Sequence, residues 1–511
     1  MPGFHIEHFG CRAARADGEA VSDRLRVTGM DERNPKIADV IVVNTCSVTA
    51  EADRAARAFI RRAHRLNPEA RIVVTGCYAQ RAPGELAGLA GVTAVVGNSH
   101  KALAPEIILG LLGRAEQHAE NELIKIQAAQ AASASPQVVW ADDRFAHSFL
   151  EEAQVVPGAQ TRPNLKIQEG CGNRCSFCVI PQTRGSSRSL PAASVLKQVE
   201  GFVAAGGNEL VFSGINLGRW GRDLPHCDGL TRPTLAGLVR QIFERTELPR
   251  LRLSSIEPMD WDDELIGLMA EFGGKQPGPP SASPGRWVGR LARHAHLPLQ
   301  SGSDAVLRRM RRRYRPWHYA GKVAALVRAA GPDLTLGADV MAGFPGETDR
   351  EFEETLELIR ALPFGYLHLF PFSPRPATLG WAMHLQTPVP AAVVEERMAA
   401  LRALAAEKTI AHRSRFAGRE LEAITLRTPA EMAVRGRTAA LTENFIPVEL
   451  AGRLSANQLL RLHVTALNAE GTLKAIALET ERDQYAATEM SVNAKSVPLK
   501  SSSSPVSLAS A

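Results

Sequence analysis

The stretch EGCGNRCSFC, residues 169–178, sets Cys171, Cys175 and Cys178 within eight positions of a 511-residue chain that has only seven cysteines. Thiolates are soft donors suited to zinc or to iron–sulfur clusters, and a closed structural zinc site takes four ligands. Three thiolates on a cubane cluster leave one iron without a protein ligand. A small molecule can bind there, as it does at the open position of a catalytic zinc. A second trio is dispersed along the first eighty residues. Cys11 follows FHIEHFG, Cys46 ends ADVIVVNTC and Cys77 ends ARIVVTGC. Each closes an apolar run of strand character, and open α/β sheets place their ligands beyond the carboxyl ends of the strands, so the three are expected to converge on one sheet edge. Buried structural thiols, or zinc shared between the sets, is the competing use, and two independent trios at strand ends are hard to explain by packing. Cys227, in LPHCDGL, belongs to neither set and reads as an incidental loop thiol.

These positions require an α/β scaffold, and the pattern supplies one. Between the second and third runs, AEADRAARAFIRRAHRLN (50–67) has helical spacing, which makes a parallel βαβ unit. The reading is an N-terminal open parallel α/β domain over 1–115 and, over 116–160, a linker with some helix, poor in large apolar residues. A second series follows over 161–395. It runs through NLKIQEGC, NELVFSGINLG, RLRLSSIEP, HAHLPLQSGSD, LTLGADVMAGFPGETD and GYLHLFPFSPRP, six short β-rich runs with helical stretches between them. Six strand–helix units predict a partial (β/α)6 barrel with its functional residues at the strand ends. GGKQPGPPSASPG (273–285) reads as an inserted loop. Four β-like stretches, LEAITLR, IPVEL, LLRLHVTAL and LKAIALE, suit a small C-terminal β-barrel over 412–480, and the serine-rich tail 481–511 reads as disordered.

The composition is that of a folded enzyme rather than a disordered or fibrous chain. The amino-terminal residues have no basic-then-apolar leader and no run is long enough to span a bilayer, so a cytoplasmic protein without a membrane partner is expected. The net charge of +6 is weak evidence for a polyanionic partner. Local density says more. LRRMRRRYR (307–315) gathers Arg308, Arg309, Arg311, Arg312 and Arg313 into one stretch that phosphates could answer, and these five are the expected RNA-binding residues.

The loop CGNRCSFC resembles the cluster loop of radical S-adenosylmethionine enzymes, including aromatic Phe177 before the last cysteine. That resemblance implies a 4Fe–4S cluster whose open iron chelates the amino and carboxylate groups of S-adenosylmethionine, and reductive cleavage to a 5′-deoxyadenosyl radical. The order of Cys11 in HFGCR, Cys46 in NTCSVTAEAD and Cys77 in VTGCYAQ, followed by the barrel and the small β domain, is similar to the methylthiotransferases over roughly residues 3–479. The family implies a second 4Fe–4S cluster on that trio. By position, Phe177, Gly206, Gly207, Ser255, Glu257 and Gln300, with the glycine-rich stretch 337–347, resemble its cofactor-binding positions. His294 and His296 are read as strand histidines of which one points inward, with a satisfied structural role favoured over a functional one.

Two branches of the family act on an N6-modified adenosine of tRNA just 3′ of the anticodon, and a third on an aspartate of a ribosomal protein. RGSSRS (184–189) is closer to the threonylcarbamoyladenosine branch, with the isopentenyladenosine branch as the alternative. The C-terminal barrel resembles the TRAM domain of RNA-modifying enzymes, which implies an anticodon stem-loop as partner. A base there is already largely unpaired, so presenting its edge to a radical costs less than extracting it from a duplex. An electron donor and a sulfur source are the other implied partners, and the chain is expected to act as a monomer. The sequence departs from the family at Ala14, Phe372, Ala377 and Phe445, where asparagine, tyrosine, glycine and tyrosine are commoner.

Overall fold

Short runs of β-branched residues build the first sheet. In the computed structural model, which describes residues 2–113, 138–145, 147, 162–226, 232–273 and 289–478, it contains β1 (Gly3–His8), β2 (Asp31–Glu32), β3 (Val40–Thr45), β4 (Arg71–Gly76), β5 (Val92–Gly97) and β6 (Val138–Trp140). The strands are parallel in the order β2-β1-β3-β4-β5-β6. Every residue of β3 is buried, as a central strand covered by helices on both faces must be. The helix Ala50–Leu66 connects β3 to β4. Thr49 caps it by accepting from Ala52 N at 3.2 Å, and Glu51 and Asp53 in its first turn oppose the helix dipole. β6 corrects the linker assignment, because Val138–Trp140 pairs with β5 as an edge strand. The insertion beyond Gly273, Cys227 and the tail lie outside the described residues.

The central unit has β7 (Asn164–Glu169), β8 (Arg188–Ser189), β9 (Glu209–Gly214), β10 (Arg250–Leu253), β11 (His294–His296), β12 (Thr335–Ala342) and β13 (Phe364–Pro371). They form two sheets, β10-β9-β7-β8 and β11-β12-β13. Leu251 N donates to Arg290 O at 2.7 Å and Ala292 N to Leu251 O at 2.9 Å, which joins β10 to the segment entering β11. Six parallel strands thus make a partial barrel, open between β7 and β13. The N-terminal unit covers the opening. Its helix Arg12–Val27 packs on β7 and β9, and Asp53 ion-pairs at 2.6 Å with Arg375 beyond β13.

Outward-facing Leu210, Phe212, Leu251, Leu253, Ala295, Leu336 and Ala338 form the core with the surrounding helices. The alternate residues face the lumen: Lys166, Gln168, Glu209, Arg252, His294, His296, Asp339, Tyr366 and His368. His294 and His296 therefore both point inward. Residues two apart on a strand share a face, and Tyr366 Oη bonds both rings at 2.8 and 3.0 Å. That corrects the expectation of one inward histidine.

The last unit is a closed barrel of β14 (Glu420–Thr425), β15 (Arg437–Thr442), β16 (Pro447–Ala451), β17 (Leu459–Leu467) and β18 (Leu473–Ala477), in the order β14-β15-β16-β18-β17. Strand β15 was not among the four stretches expected. The β15–β16 hairpin reaches into the central barrel: Arg252 Nη2 donates to Thr442 O at 3.2 Å and Asn444 Nδ2 to Asp333 O at 3.0 Å.

Candidate active site

Cys171, Cys175 and Cys178 sit in the loop that leaves the carboxyl end of β7. Their sulfurs are met by donors: Asn173 N and Asn216 Nδ2 reach Cys171 at 3.4 and 3.6 Å, Arg312 Nη1 reaches Cys175 at 3.4 Å, and Ile180 N reaches Cys178 at 3.5 Å. Phe177 is half-buried and meets Phe344 edge-on at 6.5 Å. Burial pushes the Cys178 thiol up to about 12, so it ionises readily only when a metal takes the place of its proton.

The other trio converges because β1, β3 and β4 are neighbours in register. His8 is opposite Asn44 and Thr45 opposite Gly76, so Cys11, Cys46 and Cys77 leave the same sheet edge. Gly10, at φ +145°, is required there: a Cβ on it would lie 3.1 Å from Cys46 Cβ. Cys46 is pushed up to about 12 by burial and then by Cys77 and Cys11.

One side chain joins the two trios. Arg184, six residues beyond Cys178 and fully buried, donates from Nε to Cys77 Sγ at 3.2 Å. Its Nη1 bonds Glu169 at 2.6 Å and Asp17 at 3.1 Å. Lys101 bonds the same two carboxylates at 2.6 and 2.9 Å, and Lys166 completes the cluster by pairing with both. Burial favours protonating Asp17 and Glu169, and the three cations outweigh it, holding both below the usual carboxylate range. Three cations against two carboxylates leave one positive charge, and it faces the Cys77 sulfur.

Each trio offers three soft thiolates, a donor set that an iron–sulfur cluster accepts. Among the described residues, the trio of metal-ligating side chains with ligand atoms all within 4.8 Å of one another is His296, Asp339 and His368, so neither cysteine set is drawn to single-ion spacing. That histidine–aspartate group faces the lumen and escaped sequence reading because it is spread over three strands. Asp339 lies 3.1 Å from His296 and 3.3 Å from His368. Burial opposes its ionisation, and the bonds from both rings outweigh that.

Beside the Cys175 loop is a cavity of about 420 Å³ lined by Gly172, Asn173, Arg219, Glu257, Arg311 and Arg313, among others. Glu257 is pinned by Arg312 at 2.6 Å. Ser255 is half-buried just beyond β10, and Gln300, at φ +65°, accepts from Met341 N at 2.8 Å beyond β11. These positions share the carboxyl ends of the strands with the cysteine loop.

Gly206 and Gly207 do not. They end the helix Ala192–Ala204 and precede β9, so they lie at the amino end of a strand parallel to β7, away from the cysteines. Their amides bond Val203 O and Phe202 O, and Gly206 O accepts from Asn457 of the C-terminal barrel at 3.1 Å. The pair is a helix cap at a domain contact. The position facing Cys171 is instead the carboxyl end of β9, Gly214–Asn216.

The arginine run also divides. Arg312 is buried against Cys175 and Glu257, which corrects its assignment to an RNA surface. Arg309 is held by Glu351 through two 2.8 Å bonds and Arg308 by Asp304 at 2.8 Å. Arg311 and Arg313 are exposed at the cavity rim. Ala377, where the family favours glycine, holds φ +62°, a conformation that costs any residue with a Cβ.

Comparison with known proteins gives this geometry its context. Residues 3–97 match the model of Uncharacterized protein family UPF0004 and residues 165–359 that of the Radical SAM superfamily. The chain is 34% identical over 454 residues to the threonylcarbamoyladenosine tRNA methylthiotransferase MtaB of Bacillus subtilis (strain 168), covering 88% of this chain and 90% of the relative. It is 33% identical to the tRNA-2-methylthio-N(6)-dimethylallyladenosine synthase of Sorangium cellulosum (strain So ce56), covering 86% and 82%. Among solved structures it resembles a radical S-adenosylmethionine methyltransferase, TsrM, from Kitasatospora setae, at 16% identity and TM-score 0.49 over 76% of this chain and 78% of that one. On the strength of its similarity to the two tRNA-modifying relatives over most of its length, the chain belongs to the radical S-adenosylmethionine methylthiotransferase family, enzymes that transfer methylthio groups with a 4Fe–4S cluster and S-adenosylmethionine.

Proposed function

We propose that this chain adds a methylthio group to carbon 2 of N6-threonylcarbamoyladenosine in the anticodon loop of a tRNA. The observation that carries the reading is Arg184, which ends the short helix after Cys178 yet bonds a cysteine of the other trio, so that one short segment of chain links the two three-thiol sites. Similarity to relatives named for threonylcarbamoyladenosine supports the substrate, as does the RGSSRS loop.

Cys171, Cys175 and Cys178 hold one 4Fe–4S cluster in this reading, and Cys11, Cys46 and Cys77 a second; when bound with S-adenosylmethionine they supply the radical and sulfur chemistry. The chain's own residues do the positioning. Arg312, Asn216 and the loop amides donate to sulfurs whose negative charge would otherwise be buried unanswered. Glu257 sets a carboxylate, and Arg219 and Arg311 guanidiniums, on one cavity wall, a pairing of signs that suits a zwitterionic amino acid. An electron donor and a sulfur source come from outside the chain.

Mass spectrometry of tRNA nucleosides from a strain lacking the gene tests the substrate. Loss of 2-methylthio-N6-threonylcarbamoyladenosine, restored by the gene and not by a Cys171→Ala copy, is expected. Loss of the methylthio isopentenyl nucleoside instead would move the chain to the sibling branch.

A further inference from the structure

Three guanidiniums surround one aromatic ring in the barrel lumen. Arg12, Arg162 and Arg252 lie 5.6, 5.9 and 5.3 Å from the centroid of Phe445, on the β15–β16 hairpin. All three units of the molecule contribute to this recess, and half-buried Tyr366 forms another of its walls. Facing the ring centroid gives each cation some attraction, but gathering three together costs repulsion that counter-charge must offset. The available counter-charge is small. Glu209 bonds Arg252 at 2.9 and 3.3 Å and stands 3.8 Å from Arg162, too far for a hydrogen bond. Glu209 also lies 3.8 Å from Arg250, which has its own partner in Glu422 at 2.7 Å.

The donors are not spent. Arg162 Nη1 and Arg252 Nη1 are buried without a hydrogen-bond partner. Arg12 makes no hydrogen bond or ion pair among the described residues and keeps solvent-accessible surface. Buried N–H groups left open cost free energy that a ligand recovers. Arginine presents them in a fork that matches a carboxylate.

We infer that this recess receives the free carboxylate of the N6-threonylcarbamoyl substituent, with Arg12 as the residue that reads it; the inference rests on the substrate proposed above. Arg12 directly follows Cys11, so the anion would bind within a side chain's reach of the thiol trio. A substituent carried on the reacting base can extend there, whereas the loop's phosphates lie along its backbone. An isopentenyl group has no charge and would leave the same guanidiniums unanswered, which is how a site built for a polar group rejects its apolar analogue.

The test uses the full chain with its clusters loaded anaerobically, without S-adenosylmethionine for binding and with it and a chemical reductant for turnover. Binding is measured to anticodon stem-loops of one sequence carrying threonylcarbamoyladenosine, unmodified adenosine or isopentenyladenosine at the target position. The parent is expected to prefer the threonylcarbamoyl RNA over the unmodified one at least tenfold. Arg12→Gln should abolish that preference while leaving affinity for the unmodified RNA unchanged, and Arg12→Lys should recover part of it. Arg162→Gln, adjacent in sequence to no cysteine of either trio, gives the same test should Arg12→Gln lose iron. An intact preference in both glutamine variants overturns the inference. So does equal weakening of every RNA, which would mean that the arginines read a phosphate. A parent that prefers and methylthiolates the isopentenyl RNA overturns the substrate reading itself. If the parent makes 2-methylthio-N6-threonylcarbamoyladenosine and Arg12→Gln does so with the same kcat/KM, the recess alone is wrong.

Discussion

Arg184 satisfies two buried carboxylates and a sulfur with one side chain. Truncating it to alanine leaves Asp17 and Glu169 to Lys101 and Lys166 and removes one buried charge-assisted hydrogen bond from each carboxylate, about 1.5–3 kcal/mol apiece. It also removes the donor to Cys77. Arg184→Ala should therefore melt earlier and lose iron from the Cys11 trio while keeping it at Cys171, Cys175 and Cys178, as read by iron content and electron paramagnetic resonance of the two sites. Equal iron at both sites would assign Arg184 to folding alone. A different outcome is expected on the arginine run, where Arg313 is 53% exposed at the cavity rim and Arg309 is held by Glu351. Arg311→Glu with Arg313→Glu should weaken tRNA binding and reduce its salt slope by about 1 for each phosphate no longer neutralised, whereas Arg309→Gln should leave that slope alone. The cysteines were legible because three share a short loop and the other three each end an apolar run. Gly206–Gly207 reads in sequence equally as a cofactor loop or a helix cap, and only strand direction, which puts the pair at the amino end of β9, separates the two. Asn216 was invisible for the same reason: its approach to Cys171 exists only once β9 is aligned beside β7.

At the scale of elements, the helix Ala391–Ser414 is pinned to β12 by His412, whose Nε2 lies 2.8 Å from Thr335 Oγ1. Burial, then Arg415 and Arg413, lower the His412 pKa to about 4 from its ordinary 6.5. The unfolded chain therefore binds this proton before the folded chain does. Stability falls as pH drops from about 6.5 towards 4, by up to roughly 3 kcal/mol for this one group. The thermal midpoint should decline between pH 7 and pH 5, and less steeply in His412→Gln; identical slopes would place the acid sensitivity elsewhere. Among the strands that sequence reading found, β3 (VIVVNT) and β4 (RIVVTG) are dense in β-branched residues, whereas β10 (RLRL) and β11 (HAH) are marked by the turn residues that follow them. β6 and β15 were missed for different reasons. VVW is three residues beside an alanine- and serine-rich stretch, held by pairing with β5, and RTAALT has alanines where a strand signal wants bulk.

Across the whole molecule, the three units share the barrel lumen rather than occupying it in turn. Asp53–Arg375 joins the N-terminal unit to the end of β13, Asn208 and Gly206 meet Asn457, and Phe445 stands among side chains of both other units. Among the described residues no helix is long and apolar enough to cross a membrane. The α/β class and the order of the units were readable from the alternation of strand and helix patterns. The way the N-terminal unit covers the gap between β7 and β13 was not, because it depends on Asp17, Lys166 and Glu169, charged residues that sequence alone assigns to solvent. The five-charge knot they form with Lys101 and Arg184 has a mechanical consequence. Swinging the first unit away like a door would pull carboxylates from ammonium groups inside a dry seam, so the enzyme is welded along that line. A substrate would therefore meet the two units already fixed against each other, with side chains and surface loops left to adjust to it.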